Sequence, residues 1–487
     1  HRLKDHLQMR ISTKSLTKAR HNKIKYVNYA SPLALLSLSA CGGSEENNGE
    51  TISQNFQELR FSQVGDALSL SYFNDESERG AVRYFYSKDI DSSPGQEVLI
   101  AGFETQPNTA EEYSNANLFI LDVDSSGITN ITYQLLPGES SFVEGVGDLV
   151  WGDFNGDDRL DFFTTAYTDF DFAVNAYSFM GSSSGFERKL TDNDVWQHGA
   201  SVYDINADGY DDVYVAGYSS GASVYLGSAT GLVKYTTLGD WWEGGGGSAA
   251  ALGDFLNNGE IQVVVVDTGI SGTDSSSSDT VLFELVIDED NQTVDIKKYS
   301  VLSVPLLEKD SFDNLLDMSG PHSHDVRVEA LDLNTDGLLD VVVFSRAGFD
   351  PAEGKWPRIS QVQFLENTGN GVFADVTETI LPNYEYQSNV GYQPVFADFN
   401  NDGYLDIFIS DADYGASHSS SVFLLGSSNG QFEEIGRNEL SALIPSNGGM
   451  ATVVEGVDDN FMLLVGSQFV ADAGRQEQLT LYGLEFA

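Results

Sequence analysis

The sequence predicts an all-β protein, a seven-bladed β-propeller of four-stranded blades with calcium loops between the first and second strands of the blades. A nine-residue phrase rich in Asp and Asn recurs along the 487 residues, and an apolar run typical of a β-strand follows each strong copy. No segment shows the 3.6-residue apolar period of a long helix. Radial closure of repeated four-stranded units protects most sheet edges, which favours a propeller over an open sheet.

The clearest copy of the phrase is D-F-N-N-D-G-Y-L-D at residues 398–406. The other strong copies are D-F-N-G-D-D-R-L-D at 153–161, D-I-N-A-D-G-Y-D-D at 204–212 and D-L-N-T-D-G-L-L-D at 332–340. Degenerate copies begin at Asp89 and Asp254, and a relic lies at Asp458. Successive copies start 50 to 78 residues apart, which indicates one array of seven units. Strand-like residues 56–73 precede the array, and we expect them to form outer strands.

The spacing of oxygen donors in the phrase predicts calcium binding. Side-chain oxygens stand at positions 1, 3, 5 and 9, the residue at position 7 offers a carbonyl, and Gly at position 6 permits a sharp turn. The predicted ligands are Asp153, Asn155, Asp157, Arg159, Asp161, Asp204, Asn206, Asp208, Tyr210, Asp212, Asp332, Asn334, Asp336, Leu338, Asp340, Asp398, Asn400, Asp402, Tyr404 and Asp406. We expect about four structural Ca²⁺ ions. Zinc is disfavoured because no Cys or His lies within these phrases.

Two other structures are compatible with such a phrase. An EF-hand needs a bidentate Glu at position 12 and a flanking helix, whereas these copies have Thr164, Val215, Val343 and Ile409 in strand-like runs. An Asx-rich β-turn without an ion explains one copy well, but it explains four copies in register less well.

With these residues the repeats resemble FG-GAP/VCBS repeats, the blades of the integrin α-subunit head and of many bacterial surface proteins. The resemblance covers roughly residues 80–470. Three copies match the pattern D-x-[DN]-x-[DN]-G-x-x-D in full, and the copy at Asp153 departs from it only at Asp158, which replaces Gly. The resemblance implies a calcium-binding propeller that meets its ligands at the end opposite the calcium loops.

The charge of the chain excludes some partners. Asp and Glu number 74 against 25 Lys and Arg, a formal net charge of −49. Such a surface repels nucleic acid, because phosphate binding is driven by Lys and Arg. A content of 41% hydrophobic and 11% aromatic residues nevertheless favours a packed fold over disorder.

The N-terminal residues have the order of a secretory signal. A basic stretch ends at Lys25, a short apolar segment follows, and then comes L-S-A-C-G with Cys41, the only cysteine. The tetrad ending at Cys41 resembles the lipobox of bacterial lipoproteins, and Gly42 is similar to their outer-membrane sorting pattern. We therefore expect a signal peptide at 1–40, a tether at 41–52, a propeller at 53–487, and an outer-membrane protein held by the Cys41 lipid. An ordinary signal peptide, or a weak apolar segment with a chance Cys, is the alternative.

Loops at the end opposite the calcium loops are the predicted ligand face. In a four-stranded meander the turns after strand 2 and between blades emerge at that end, and they map to residues 165–173, 194–201, 240–248, 320–325, 346–358 and 411–419. Aromatic and imidazole groups there can stack on or bond to a ligand. The candidates are Trp196, His198, Trp241, Trp242, His322, His324, Trp356 and His418. Packing between blades is the alternative role for the tryptophans, and a solvated loop for the histidines.

Two functions follow from these features. The first is a calcium-binding surface lipoprotein that acts as a binding or adhesion module for a protein or a glycan. The second is a carbohydrate-active enzyme, a polysaccharide lyase or hydrolase, on the same scaffold. The resemblance implies this alternative, because bacterial relatives of the repeat occur attached to, or as, polysaccharide lyases. An enzyme needs titratable groups that converge in space, and no catalytic residue is identified from a motif in this sequence.

Overall fold

A computed structural model provides the structure of the chain. It describes residues 59–71, 81–91, 95–104, 116–167, 174–217, 221–238, 246–266, 280–303, 323–347, 360–382, 393–410, 421–444, 450–456, 460–471 and 474–486. The predicted signal peptide and tether lie outside these ranges, as does Cys41.

The described residues form thirty strands and a few short helical turns. The strands up to residue 152 are β1 Leu59–Ser71, β2 Ala81–Lys88, β3 Glu97–Glu104, β4 Ala116–Asn117, β5 Phe119–Asp124, β6 Gly127–Asn130, β7 Phe142–Val143 and β8 Val146–Gly152. Those from 161 to 303 are β9 Asp161–Ala166, β10 Val174–Ser182, β11 Gly185–Val195, β12 Ala200–Tyr203, β13 Asp212–Val215, β14 Ser223–Leu226, β15 Val233–Leu238, β16 Ala249–Gly253, β17 Gln262–Val266, β18 Thr280–Asp288 and β19 Thr293–Ser303.

The remaining strands are β20 Ser323–Leu331, β21 Asp340–Ala347, β22 Ser360–Asn367, β23 Phe373–Asp375, β24 Val395–Ala397, β25 Asp406–Ile409, β26 Val422–Gly426, β27 Phe432–Ile435, β28 Met450–Glu455, β29 Phe461–Ala471 and β30 Gly474–Phe486. The helices are α1 Thr132–Leu135, α2 Thr377–Ile380 and α3 Arg437–Leu443, with a 3₁₀ turn at Gly138–Ser141. Among the described helices, none has the length and apolar character needed to cross a bilayer.

The strands form a β-propeller with four-stranded antiparallel blades. Five blades are separate sheets with the strand orders β2-β3-β5-β6, β8-β9-β10-β11, β20-β21-β22-β23, β24-β25-β26-β27 and β28-β29-β30-β1. In the first four of these the earliest strand is innermost. The inner strands β8, β12, β16 and β20 contact one another in turn, and β2 contacts β28. The fold class predicted from the sequence is therefore confirmed at the level of an all-β propeller with four-stranded blades.

The number of separate sheets differs from the predicted seven. Strands β12–β15 and β16–β19 are each a four-stranded meander, but they merge into one eight-stranded sheet through their outer strands. The junction is a short parallel pairing in which Thr236, Thr237 and Leu238 of β15 face residues 293–295 of β19. The long β18–β19 hairpin reaches β15 and covers its outer edge. Without that pairing, the edge of β15 would present unpaired N–H and C=O groups.

The two ends of the chain meet in one sheet. β1 pairs with β30 from Leu59–Phe486 to Ser71–Gln476, with a register shift between Val64 and Leu68. β1 is the outer strand of this sheet, as predicted for residues 56–73. Because this sheet combines an N-terminal strand with C-terminal strands, it ties the beginning of the propeller to its end.

The core lies between neighbouring blades. In β21, Val341 and Val343 pack against the β17 side, whereas Val342 and Phe344 pack against the β25 side. Alternate side chains of a strand point to opposite faces of its sheet, so a blade with a neighbour on each face needs apolar residues throughout. This explains the continuous apolar runs that follow the repeated phrases.

Candidate calcium loops and ligand face

The phrase at residues 398–406 forms a tight turn between β24 and β25. The two carboxylate oxygens of Asp398 accept the backbone N–H groups of Asp402 at 2.9 Å and Gly403 at 2.8 Å. Asn400 Oδ1 also accepts the Asp402 N–H, and Asp402 Oδ1 accepts the N–H of Tyr404, both at 3.0 Å. Gly403 has φ +89°, a left-handed conformation that glycine adopts readily. The turn therefore collects the oxygens at positions 1, 3 and 5 on its inner side.

The other strong copies repeat this geometry. Asp204 binds the N–H groups at positions 5 and 6 of its loop at 3.0 Å each, and Asp332 binds the equivalent groups at 3.0 and 2.9 Å. Asp153 does the same at 3.1 and 2.9 Å. Asp158, at the position of glycine, takes φ +61°, which Asp tolerates better than most residues. The departure from the pattern at Asp158 therefore leaves the turn intact.

The aspartate at position 9 anchors the loop to the rest of its blade. Asp406 accepts the N–H of Phe399, at position 2, and the N–H of Gly426, at the end of the third strand, both at 2.8 Å. The position-9 residues Asp161, Asp212 and Asp340 accept N–H groups at the same two places. Burial raises the pKa of Asp161, Asp212 and Asp406 to about 7 and that of Asp340 to about 6.

The third-strand residue that donates to position 9 is a glycine in three of the four strong loops and Asn367 in the Asp340 loop. A Cβ on Gly426 would lie 2.2 Å from the Leu405 carbonyl oxygen, and one on Gly181 would lie 2.2 Å from that of Leu160. At these two positions the absence of a side chain lets the third strand come close to the loop. Sequence analysis did not link these glycines to position 9, although one recurs at the end of the third strand after three of the four strong loops.

The donor set of these loops suits a hard cation. Each carboxylate oxygen has two lone pairs, so one hydrogen bond from a backbone N–H leaves capacity for a metal. In the Asp153 loop, Arg159 pairs with Asp157 at 3.9 Å. No three His, Cys, Asp or Glu side chains of the described residues form a metal cluster by themselves. An ion here would therefore also draw on the Asn amide and the position-7 carbonyl, as predicted for Ca²⁺.

The degenerate copies keep parts of the turn. Asp254 accepts the N–H groups of Asn258 and Gly259 at 2.9 and 2.8 Å. In the copy that begins at Asp89, the position-9 residue is Glu97, whose Oε2 accepts the N–H of Ile90 at 2.7 Å. Asp458 lies outside the described residues.

The structure describes only a part of the predicted ligand face. His324 lies in β20 opposite Arg346 in the backbone register, and its side chain is not among those described. His198 packs edge-on against Tyr167 with 4.5 Å between the ring centroids, and Trp196 lies two residues before it. Predicted residues outside the described ranges are Trp241, Trp242, His322, Trp356 and His418.

A buried hydrogen-bonded chain lies beside Trp196 and His198. Gln197 Nε2 donates to the hydroxyl of Tyr225 at 2.6 Å, and that hydroxyl donates to Asp192 at 2.7 Å. Lys234 also reaches Asp192, at 2.5 Å. Burial raises the pKa of the Tyr225 hydroxyl well above its usual range. These contacts join the second blade to the third, so Gln197 holds the inter-blade segment that carries Trp196 and His198.

Titratable groups converge on the propeller axis, where sequence analysis identified none. Arg327 of β20 donates to Asp148 of β8 at 2.8 Å and to Glu329 at 2.6 Å. Asp148 also accepts the Tyr86 hydroxyl at 3.2 Å and Gln393 Nε2 at 3.5 Å. Only near the axis can inner-strand residues from opposite blades touch, and we call these five residues the axial cluster.

The axial cluster is closed to solvent. Asp148 is 2% exposed and Arg327 is 5% exposed. Burial raises the pKa of Glu329, and the neighbouring Arg327 opposes that shift. The sequence carries a weak signal for the cluster, since Asp148, Arg327 and Glu329 are charged residues that alternate with or interrupt apolar residues of inner strands.

One stretch of the chain matches a known protein family. Residues 332–409 match the FG-GAP-like repeat family, a stretch that contains two of the four strong loops. No curated protein matches the chain.

Solved propeller structures resemble the chain at low identity. The Dos1 propeller is 11% identical with a TM-score of 0.40, covering 87% of this chain and 95% of its own. AofleA from Arthrobotrys oligospora is 10% identical with a TM-score of 0.33, covering 76% and 90%. The N-terminal domain of Nup159 is 12% identical with a TM-score of 0.34, covering 85% and 98%. The fold assignment depends on the sheets themselves: the described strands form a β-propeller, and residues 332–409 match the FG-GAP-like repeat family.

Proposed function

We propose that this chain is a calcium-binding β-propeller that acts as a binding or adhesion module for a protein or a glycan. The observation that carries the proposal is one loop geometry in four copies, each with acidic donors at positions 1, 5 and 9. The match to FG-GAP-like repeats across two of these loops supports it. The proposal includes a propeller of seven blades, in which the eight-stranded sheet counts as two blades.

The ions in this proposal have a structural role. Ca²⁺ would be held by the oxygens at positions 1, 3 and 5, the carbonyl at position 7 and the carboxylate at position 9. A bound ion offsets the repulsion between carboxylates that share a tight turn. Since position 9 is tied to the third strand, an ion would stiffen the whole end of a blade.

The ligand in this proposal meets the end away from the calcium loops. Trp196 and His198 are the proposed contact residues, and the buried Gln197 side chain between them, which bonds to Tyr225, supports their placement on a fixed segment between two blades. A fixed segment that carries aromatic groups loses little conformational freedom on binding, which favours affinity. Aromatic rings suit both sugar faces and peptide side chains.

The Cys41 lipid anchors the propeller to the bacterial outer membrane in this proposal. L-S-A-C-G at residues 38–42 supports it. Replacing Cys41 with Ser should move the protein from the detergent-rich phase to the aqueous phase in Triton X-114 partition. A Cys41→Ser protein that partitions like the wild type would contradict lipidation.

A carbohydrate-active enzyme remains the second candidate function, because acidic, basic and phenolic groups converge in the axial cluster. These groups are buried and bonded to one another, which supports a structural role for them and places binding first. An array of glycans and secreted proteins, probed with and without Ca²⁺, tests both functions. Calcium-dependent capture without turnover is the expected result, and cleavage of any arrayed glycan would favour the enzyme.

A further inference from the structure

The loop at residues 254–262 keeps the turn of the calcium loops with different side chains at three ligand positions. Asp254 binds the same two backbone N–H groups as the aspartates at position 1 elsewhere. Leu256 replaces the Asn at position 3, Asn258 replaces the Asp at position 5, and Gln262 replaces the Asp at position 9. Leucine offers no oxygen from its side chain, so this loop lacks one side-chain ligand, and the two carboxamides leave it with two fewer negative charges.

The carboxamide of Gln262 reproduces the anchor and also fills the inner side of the turn. Its Oε1 accepts the N–H of Leu256 at 3.0 Å, as Asp406 accepts that of Phe399 at 2.8 Å. Its Nε2 donates to the Glu260 carbonyl at 2.6 Å and contacts Asn258 Oδ1 at 3.4 Å. Those two oxygens are the position-7 carbonyl and the position-5 side chain, the groups that would face an ion in the other loops.

We propose that the Gln262 carboxamide takes the place of a cation, so that the loop at 254–262 is stable without metal. The N–H groups of Nε2 supply the positive charge density that the oxygens of the other loops would receive from calcium. Gln262 is 1% exposed, and a metal at this place would leave its buried N–H groups unpaired, which is costly. This inference rests on the proposed calcium binding of the four strong loops. It distinguishes the loop of the fourth four-stranded unit, which is stable without metal, from those four loops.

Hydrogen exchange of the full chain in Ca²⁺ and in EDTA tests the inference on each loop separately. We expect the peptides that contain the four strong loops to exchange faster in EDTA, and the peptide that contains residues 254–262 to exchange at the same rate in both. If that peptide responds as strongly as the others, the role of Gln262 is wrong and calcium binding stands. If none of the five peptides exchanges faster in EDTA, calcium binding by the strong loops is wrong. The proposed difference between those loops and the loop at 254–262 is then overturned as well.

A nearly isosteric variant provides the second arm of the test. Glu97 shows that glutamate fits at position 9, because its buried carboxylate accepts the N–H of Ile90 at 2.7 Å. Gln262→Glu should therefore keep the anchor, lose the two Nε2 contacts and make its loop depend on metal. We expect severalfold faster exchange of that loop in EDTA and its reversal by Ca²⁺, with no such change in the exposed control Gln134→Glu. A Gln262→Glu loop that exchanges in EDTA like the wild-type loop would overturn the proposal.

Discussion

At the scale of single residues, the axial cluster is the feature with the largest energetic consequence. Arg327 is the only cation of the cluster, and it lies between Asp148 and Glu329 at 2.8 and 2.6 Å. Removing one member of a buried ion network leaves its partners charged and desolvated, whereas an exposed pair contributes little.

Arg327→Met should therefore destabilise the protein by about 3–5 kcal/mol, the usual cost of breaking a buried ion pair. Urea unfolding measures the change. Lys297→Met is the matched control, because Lys297 pairs with Asp295 at 3.0 Å with both side chains about half exposed. The control should cost less than about 1 kcal/mol. Equal effects of the two variants would contradict a structural role for the axial cluster.

Gly426 is the second residue whose replacement has a defined consequence. A Cβ at this position would lie 2.2 Å from the Leu405 carbonyl, so Gly426→Ala must push the third strand away from Asp406. We expect a loss of about 1–3 kcal/mol, the usual cost of overpacking.

Gly483→Ala is the control, since its Cβ would meet the Ser62 hydroxyl at 3.2 Å, the Ser62 carbonyl at 3.7 Å and Val64 Cγ2 at 3.8 Å, with no contact as short as that at Gly426. Thermal unfolding of both variants checks the difference. If Gly426→Ala is as stable as Gly483→Ala, the anchor between loop and third strand is not tight.

At the scale of elements, β1 closes the ring. Its ten paired residues cover β30, which would otherwise be the exposed edge of the last sheet. An exposed edge strand lowers stability and invites pairing with a second chain. A chain that begins after Ser71 should melt at a lower temperature and form oligomers, which size-exclusion chromatography detects. A monomeric truncated chain with an unchanged melting temperature would show that β1 is dispensable.

The local sequence pattern is sufficient to predict the repeated turns and the strands that follow them. The phrase at residues 398–406 fixes a turn, and the apolar run after it fixes a strand with a neighbour on each face, as β25 shows. Contacts between residues that are distant in the sequence could not be predicted in this way. Asp148 and Arg327 are 179 positions apart, and no local pattern pairs them. The merging of β15 with β19 also depends on where two hairpins end in space, which spacing alone does not give.

The candidate site was also predictable from the sequence only in part. The turn geometry of the four strong loops follows from the positions of Asp, Asn and Gly. The double anchor at position 9 needs the third strand, and Gln262 reveals its two Nε2 contacts only when the loop is folded. Most of the predicted ligand-face residues lie outside the described part of the chain.

At the scale of the whole molecule, negative charge is the dominant property. A net charge of −49 opposes compaction through self-repulsion, and much of the acidic content of the repeats sits in loops that bring carboxylates together. Bound divalent cations would relieve this repulsion where it is greatest. The central claim is therefore that calcium stabilises the propeller through its loops.

The melting temperature of the purified chain, measured in EDTA and again after Ca²⁺ is restored, tests this claim most directly. Binding to the folded state alone raises stability by mass action, so the melting temperature should fall in EDTA and rise with the concentration of free Ca²⁺. Mg²⁺ at the same concentration should restore less, because it is smaller and dehydrates reluctantly. A melting temperature that is the same in EDTA and in Ca²⁺ would contradict the claim.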